Sequence, residues 1–523
     1  MTRDVHSGWA VAIALTMTLA VSIPMFLFST VFGDDWAWVW VYHWQGAAGI
    51  QDYMWRVAHP GFGPVYNLAF WLGGDEPGRA ARAFAVAFLL GSGLLLWRIF
   101  YEGRSPPIFA VSVAALYLTS PYLGGLRATL AHSGYDAYIF FYLLSILLSA
   151  RRGVFIFIGA ILAHAIGMLL ESLAALEVVR WWYLYQQGYG PRALVRRAIP
   201  FILVVVAFGI SRATWMAPYG DYYAGHNALE LSSVSEFAHQ IYLHLQYFFS
   251  ALEPLRYVPS LFVHDNLLIG GVLVLFAAGL AAACMNVTPR GSYRGLAVLA
   301  ILGVVTLGLG MLPYVAIARP PYWWIFYSRL AVASQFGVFI LGAVFISALP
   351  WRALRAVTLA AAVLVFSAMH LQLGRWMLYD HLVVSDFQSQ LARYFASNPG
   401  QLLFIHFEPQ TADVLFVKRC LANYDVNVAL DVSGRRNDGL AYDKDCAADI
   451  VTEDGKCGVT AFERIPCPPK RNAEFRLHPG MEDFTRLHLV DLGRRTLSGS
   501  GLDAGTLVVD PRVVAATPRQ PAP

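Results

Sequence analysis

The sequence predicts an α-helical polytopic membrane protein with a small C-terminal α/β domain outside the bilayer, and three observations carry that expectation. Hydrophobic residues make up 57% of 523 positions and charged residues only 14%, against roughly half and a quarter in ordinary globular chains. The apolar residues gather into runs of roughly 17 to 24, the length that crosses a hydrocarbon core of about 30 Å as a helix. Beyond the last run the composition changes: all four lysines (Lys418, Lys444, Lys456 and Lys470) and four of the 5 cysteines lie there.

The first run, 9–32, is too long for a signal-peptide core and no small-residue cleavage site follows it, so it is expected to stay as an anchor. Further candidate spans are 80–100, 106–123, 134–150, 153–170, 171–186, 195–217, 266–285, 295–317, 330–349 and 353–372, about eleven in all. Glu171, Glu177 and Arg180 interrupt the sixth, which reads either as a span or as an interfacial helix beside one short span. With Arg3 cytoplasmic, the inside loops hold Arg98 and Arg104, Arg151 and Arg152, Arg192, Arg196 and Arg197, Arg290 and Arg294, then Arg352 and Arg355, satisfying the positive-inside rule. A formal charge of +4 with arginines in short loops speaks for topology signals and against a nucleic-acid partner.

An odd number of spans places the C-terminal part outside. Cys420, Cys446, Cys457 and Cys467 point the same way, because clustered cysteines without paired C-x-x-C units read as disulfides in an oxidising compartment rather than as a zinc site. Cys284 stands alone in an apolar run. The expected location is the plasma (inner) membrane, with the N-terminus cytoplasmic and the C-terminal domain periplasmic or extracellular.

The chain therefore divides into a transmembrane domain, 1–372, an outer soluble domain, 373–515, and a Pro-rich tail, 516–523, expected to be disordered. Outer loops 33–79 and 218–265 are long enough to hold structure. The first is rich in aromatic residues (Trp36, Trp38, Trp40, Tyr42, Trp44, Trp55), which suits helices lying among lipid headgroups. In the soluble domain a helical stretch, Ser385 to Phe395, precedes a strand-like Leu402 to Phe407 and another helical stretch near Thr411 to Ala422, an alternation that predicts a small α/β fold.

The sharpest local motif is Phe32-Gly33-Asp34-Asp35-Trp36, two carboxylates placed directly after the first span. Carboxylates at the edge of lipid are costly unless solvated or used. The plain alternative is that Gly33 ends one helix and an aspartate caps the next. Acidic residues in the first outer loop, interfacial helices after them, many spans and an outer C-terminal domain together resemble the GT-C superfamily of polyprenyl-phosphate-dependent glycosyltransferases. The resemblance covers the whole chain as architecture, with Asp34-Asp35 as its one local motif. It implies that Asp35 or Asp34 is the catalytic base, acting on a lipid-linked sugar phosphate.

The chemistry is consistent with that resemblance, because a sugar phosphate is a good leaving group and the enzyme must chiefly deprotonate an acceptor hydroxyl and hold the phosphate. Adjacent like charges raise one aspartate's pKa and make it a better base, or the pair holds a divalent cation such as Mg²⁺ or Mn²⁺. Arginine suits the phosphate because its planar fork binds two oxygens. Arg329, Arg319 and Arg127 are the candidates. Arg329 ends an aromatic stretch, Tyr322 to Tyr327, on the outer side against the positive-inside trend, where the alternative is a snorkelling interfacial arginine. Glu171, at the outer end of its span, is a candidate for binding a substrate hydroxyl or a metal, or else a structural partner for an arginine such as Arg180. His59, Asp221 and His226 (beside Tyr222 and Tyr223), with His132 and Asp136, are further outer polar residues that also read as solvated loop positions. His164, alone in an apolar helix, reads as a hydrogen-bonded core residue.

The expected activity is transfer of a sugar from a polyprenyl-phosphate donor to a glycan, lipid or protein acceptor on the outer face. The alternatives are a glycan polymerase or ligase, which would lean on outer-loop arginines and histidines, and a lipid-linked glycan transporter or flippase, which would carry mid-membrane charges and repeated halves.

Overall fold

The computed structural model describes residues 5–28, 35–56, 59–74, 76–123, 129–211, 233–250, 252–262, 266–287, 293–319, 330–407, 439–443, 456–460, 463–466, 470–479 and 488–514, with single residues 214, 321 and 481. Two compact units are formed. One comprises Met1–Phe26, Gln51–Gly73 and Ala80–Gly374; the other comprises Leu27–Ile50, Gly74–Arg79 and Arg375–Pro523.

The first unit is helical, and the second takes the helical residues 35–50 and 375–397. In chain order the helices are α1 (Val5–Leu27), α2 (Asp35–Arg56), α3 (Gly63–Gly73), α4 (Pro77–Glu102), α5 (Pro107–Thr119), α6 (Leu130–Ser149), α7 (Val154–Gly167), α8 (Glu177–Gln186), α9 (Pro191–Ser211), α10 (Val234–Ser250), α11 (Leu267–Met285), α12 (Tyr293–Ala316), α13 (Ser334–Ala348) and α14 (Arg352–Ser397). Three begin on proline (Pro77, Pro107, Pro191), where the missing N–H costs nothing because first-turn amides have no partner within the helix.

Among the described residues, six helices are long and apolar enough to cross a membrane: α1, α4, α9, α11, α12 and α14. Four more, α5, α6, α7 and α13, are apolar but shorter. The predicted span 171–186 is instead a 3-10 turn, Glu171–Leu176, followed by the ten residues of α8. Ten residues reach only about 15 Å, half the hydrocarbon thickness, so α8 does not cross it as one helix.

Two packing patterns distinguish the spans. α5 is buried along its whole length, and its Tyr117 stacks on Phe336 of α13 at 5.5 Å. α12 and α13 approach backbone to backbone: a Cβ on Gly310 would meet Ser334 N at 2.5 Å, and one on Gly337 would meet Leu307 N at 2.5 Å. Small residues are what let helices close to this distance in lipid, where dispersion replaces the hydrophobic effect as the packing force. Conversely α7 and α11 expose Phe155 (89%), Leu268 (79%) and Leu275 (72%), side chains that water would not tolerate in such density and that lipid accepts.

The second unit holds a four-stranded sheet in the order β2-β1-β5-β6. β1 (Gln401–Phe407) pairs in parallel with both β2 (Gly439–Asp443) and β5 (Lys470–Leu477), and β5 pairs antiparallel with β6 (Gly505–Val514). Central position explains why Leu402, Leu403, Phe404, Ile405 and Phe407 of β1 are all buried; a strand covered on both faces reads as a continuous apolar run. β3 (Lys456–Thr460) and β4 (Glu463–Pro466) form a separate antiparallel pair. A parallel β1–β2 pairing needs a crossover; the helix expected near 411–422 lies outside the described residues.

α14 joins the predicted span 353–372 and the predicted helix 385–395 into one 46-residue rod. Its far half packs on the sheet. Phe387 sits 5.2 Å from Phe407 and 5.1 Å from Phe475. Asp386 Oδ2 accepts from the amides of Ala504 and Gly505 at 2.9 and 3.3 Å. Gln390 accepts from the Leu507 amide and donates to the Gly505 carbonyl. The last helix, α15 (Leu489–Ser498), ends on Gly499 in the left-handed region at φ 64°, as a C-terminal cap requires.

Candidate active site

Asp35 is the first residue of α2 and is completely buried. The chain reaches it from α1 through an anchored corner: the Phe28 ring stacks on His381 of α14 at 5.9 Å, and Arg79, ion-paired with Glu76, donates to the Leu27 carbonyl. These residues all belong to the unit that contains the C-terminal sheet. Arg375 and Asp380 of α14, in the same unit, are also completely buried, and all three charged groups are engaged by partners, as burial of a charge demands. A carboxylate at a helix N-terminus is further favoured by the axial dipole. Asp34 lies outside the described residues.

α2 continues from Asp35 to a sharp kink at Gly46, whose φ of 65° and ψ of −161° interrupt the helix. Glycine alone adopts that backbone at little cost. The stretch 33–79, where the sequence leads one to expect helices, holds α2 and α3. Of its tryptophans, Trp44 and Trp55 are exposed while Trp40 is buried.

In the first unit, His59 opens a tight turn held on three sides. Gln51 Nε2 donates to the Pro60 carbonyl at 2.9 Å, the Tyr138 hydroxyl donates to the Gly61 carbonyl at 3.3 Å, and a Cβ on Gly61 would meet Leu169 at 2.5 Å. Leu169 lies two residues before Glu171, so the His59 turn and the Glu171 turn are neighbours. The His59 ring stands edge-on to Phe62 at 5.5 Å. Glu171 is exposed and engaged. Arg319 follows the end of α12, its amide bonded to the Tyr314 carbonyl at 3.0 Å, and nothing described joins it to His59 or Glu171. Arg329, Arg127, Asp221 and His226 lie outside the described residues.

The carboxylate that meets Arg180 is Glu177 and not Glu171. Arg180 Nε donates to both Glu177 oxygens at 2.9 and 3.0 Å, Tyr142 donates to Glu177 at 2.7 Å, and the guanidinium lies 3.9 Å from the Phe201 ring centre. Arg180 Nη2 also reaches His164 Nδ1 at 3.0 Å, so Nδ1 is the acceptor and Nε2 donates to the Phe201 carbonyl at 3.2 Å. His164 is thus the hydrogen-bonded core residue that the sequence leads one to expect. The whole set is a buried, nearly saturated polar network that joins α6, α7, α8 and α9.

A second polar cluster was not visible from sequence. Glu102, at the end of α4, accepts from Arg98 at 2.7 Å, from Arg151 with both oxygens at 2.7 and 2.6 Å, and from Tyr183 at 2.9 Å. It ties three loops predicted to share one membrane face, and only its i,i+4 spacing from Arg98 hinted at it. On α10, buried His244 bonds the Gln240 carbonyl through Nδ1 at 2.9 Å, and burial pushes its pKa below the ordinary imidazole value of 6.5.

Among the described residues no group of three or more His, Cys, Asp or Glu side chains could hold a metal ion. Of the carboxylate pair expected to hold a divalent cation, Asp35 is described and Asp34 lies outside the described residues. Cys420, Cys446 and Cys467 lie outside the described residues, and of Cys457 only the backbone in β3 is described. Compared with protein families, characterised proteins and solved structures, the chain matches none of them.

Proposed function

We propose that the chain is an integral membrane glycosyltransferase that moves a sugar from a polyprenyl-phosphate donor to a glycan, lipid or protein acceptor on the outer face of the membrane, with Asp35 as general base. The observation that carries this reading is the placement of Asp35. A completely buried carboxylate opens the first helix after the first span, inside the same compact unit as the C-terminal sheet. Burial of a charge is expensive, and a carboxylate retained at such a cost beside a span is a functional candidate by default.

In the proposed reaction the Asp35 carboxylate takes the proton of the acceptor hydroxyl as its oxygen bonds to the anomeric carbon, and the bond from that carbon to the phosphate oxygen breaks. The lipid phosphate leaves with the electron pair. Arg329 remains the proposed phosphate ligand by its position in sequence, and His59 and Glu171, on adjacent turns, are proposed to bind substrate hydroxyls. The test is direct: the purified chain, reconstituted in proteoliposomes, is given polyprenyl-phosphate sugars labelled in the sugar together with envelope glycans, lipids and proteins. Labelled product that depends on Asp35 supports the reading. Donor cleavage or translocation without any labelled product rejects it.

A further inference from the structure

The domain that follows Arg375 keeps its large apolar side chains inside, with one concentrated exception. Among its described residues the exposed large hydrophobics are Val490 (68%), Leu497 (69%) and Val508 (47%), and the two most exposed belong to α15. They are seven residues apart, two helical turns, and so lie within about 20° of each other around the helix. Leu489 and Leu492 are buried, about 80° to 160° around the helix from that pair.

What stands beside this exposed flank is the end of a membrane span. Gly493 lies about 40° around the helix from Leu497, and a Cβ placed on it would meet Leu27 Cδ1 at 3.0 Å. Leu27 is the last residue of α1, a 23-residue helix with mean hydropathy 2.2. The order around α15 is therefore buried core, then the contact with the end of α1, then the exposed Leu497 and Val490. Arg494 comes next, about 40° beyond Val490, 78% exposed and paired with Asp491 at 2.7 Å. An apolar strip that begins at the tip of a span and is bordered by an arginine is the arrangement of a helix lying in a bilayer surface.

We propose that α15 rests on the lipid surface, with Val490 and Leu497 entering the boundary between headgroups and acyl chains and Arg494 among the lipid phosphates. The occupant of this face is bilayer lipid. A soluble protein partner would have no reason to meet a strip that starts at the end of a transmembrane helix. The contact does not depend on the catalytic reading, and it gives the C-terminal domain a second hold on the membrane besides α14.

The full chain in lipid nanodiscs tests this. Val490, Leu497 or Ala396 is replaced, one at a time, by the photo-crosslinking residue benzoylphenylalanine. Ala396 serves as the control because it is exposed near the far end of α14, about 36 Å along the helix beyond the predicted end of its span. Irradiation and mass analysis should find lipid adducts at 490 and 497 at least several-fold more abundant than at 396. In discs containing anionic lipid, Arg494→Glu should lower the yield at 497 several-fold, with little change in zwitterionic discs. Equal yields at all three positions overturn the proposal, as do adducts at 490 and 497 that join only a second copy of the chain or another protein.

Discussion

Replacing Asp35 by asparagine separates three roles that the buried carboxylate can play. Asparagine keeps the shape and removes the charge and the proton acceptor. If Asp35 is the base, transfer falls by roughly 10² to 10⁴-fold, equivalent to about 3 to 5 kcal/mol of transition-state stabilisation, with folding little changed. If it only caps α2, asparagine is nearly silent and Asp35→Ala costs about 1 kcal/mol of stability. Its complete burial and engagement add a third case: a carboxylate held by a buried cation, whose removal leaves an uncompensated charge and costs about 3 to 5 kcal/mol of stability. Two measurements resolve the cases, namely initial rate of sugar transfer in proteoliposomes and thermal unfolding of the same preparations. Loss of rate with an unchanged midpoint assigns the base. Full rate in Asp35→Asn refutes the proposed mechanism, and a rate that falls only in proportion to folded protein refutes a catalytic role.

In the Glu177 and Arg180 pair, Glu177→Gln or Arg180→Met alone should destabilise by about 3 to 5 kcal/mol, and the double variant by clearly less than the sum, because the second change removes the charge stranded by the first; a thermal-unfolding cycle that is additive would show that they do not couple. Gly337→Leu, driven into the Leu307 backbone, should cost at least about 1 to 3 kcal/mol, whereas the same change at Gly271, which faces open space, should cost little; comparison of unfolding midpoints checks this. Burial holds the pKa of His244 below its unfolded value of 6.5, so below about pH 6.5 the unfolded chain takes up the proton more readily and stability should fall with falling pH; His244→Leu should remove that part of the acid sensitivity in pH-dependent melts. At least one disulfide is expected among Cys420, Cys446, Cys457 and Cys467, contributing roughly 2 to 4 kcal/mol, and four free thiols by mass analysis without reductant would overturn the compartment argument.

The helical membrane class, most helix positions and the strand at Leu402 to Phe407 were legible in the sequence, because each rests on a local periodicity: runs of spanning length, or a short apolar run bounded by turn residues. The helices of the first loop and the core role of His164 were legible for the same reason. The 171–186 segment shows the limit. Its apolar content fits a span, but the Glu177 and Arg180 charges pair with each other and are completed by Tyr142 and His164 from other helices, and no local pattern records which distant partners a charge will find. Likewise α14 reads as a span and a separate helix, because hydropathy falls along it while the helix itself continues. Sequence alone determined that carboxylates follow the first span. Only the tertiary structure decided that Asp35 is buried, that the end of α1 is fastened by His381 and Arg79, and that the C-terminal sheet shares a unit with them, since burial depends on what packs against a residue and not on the residue itself.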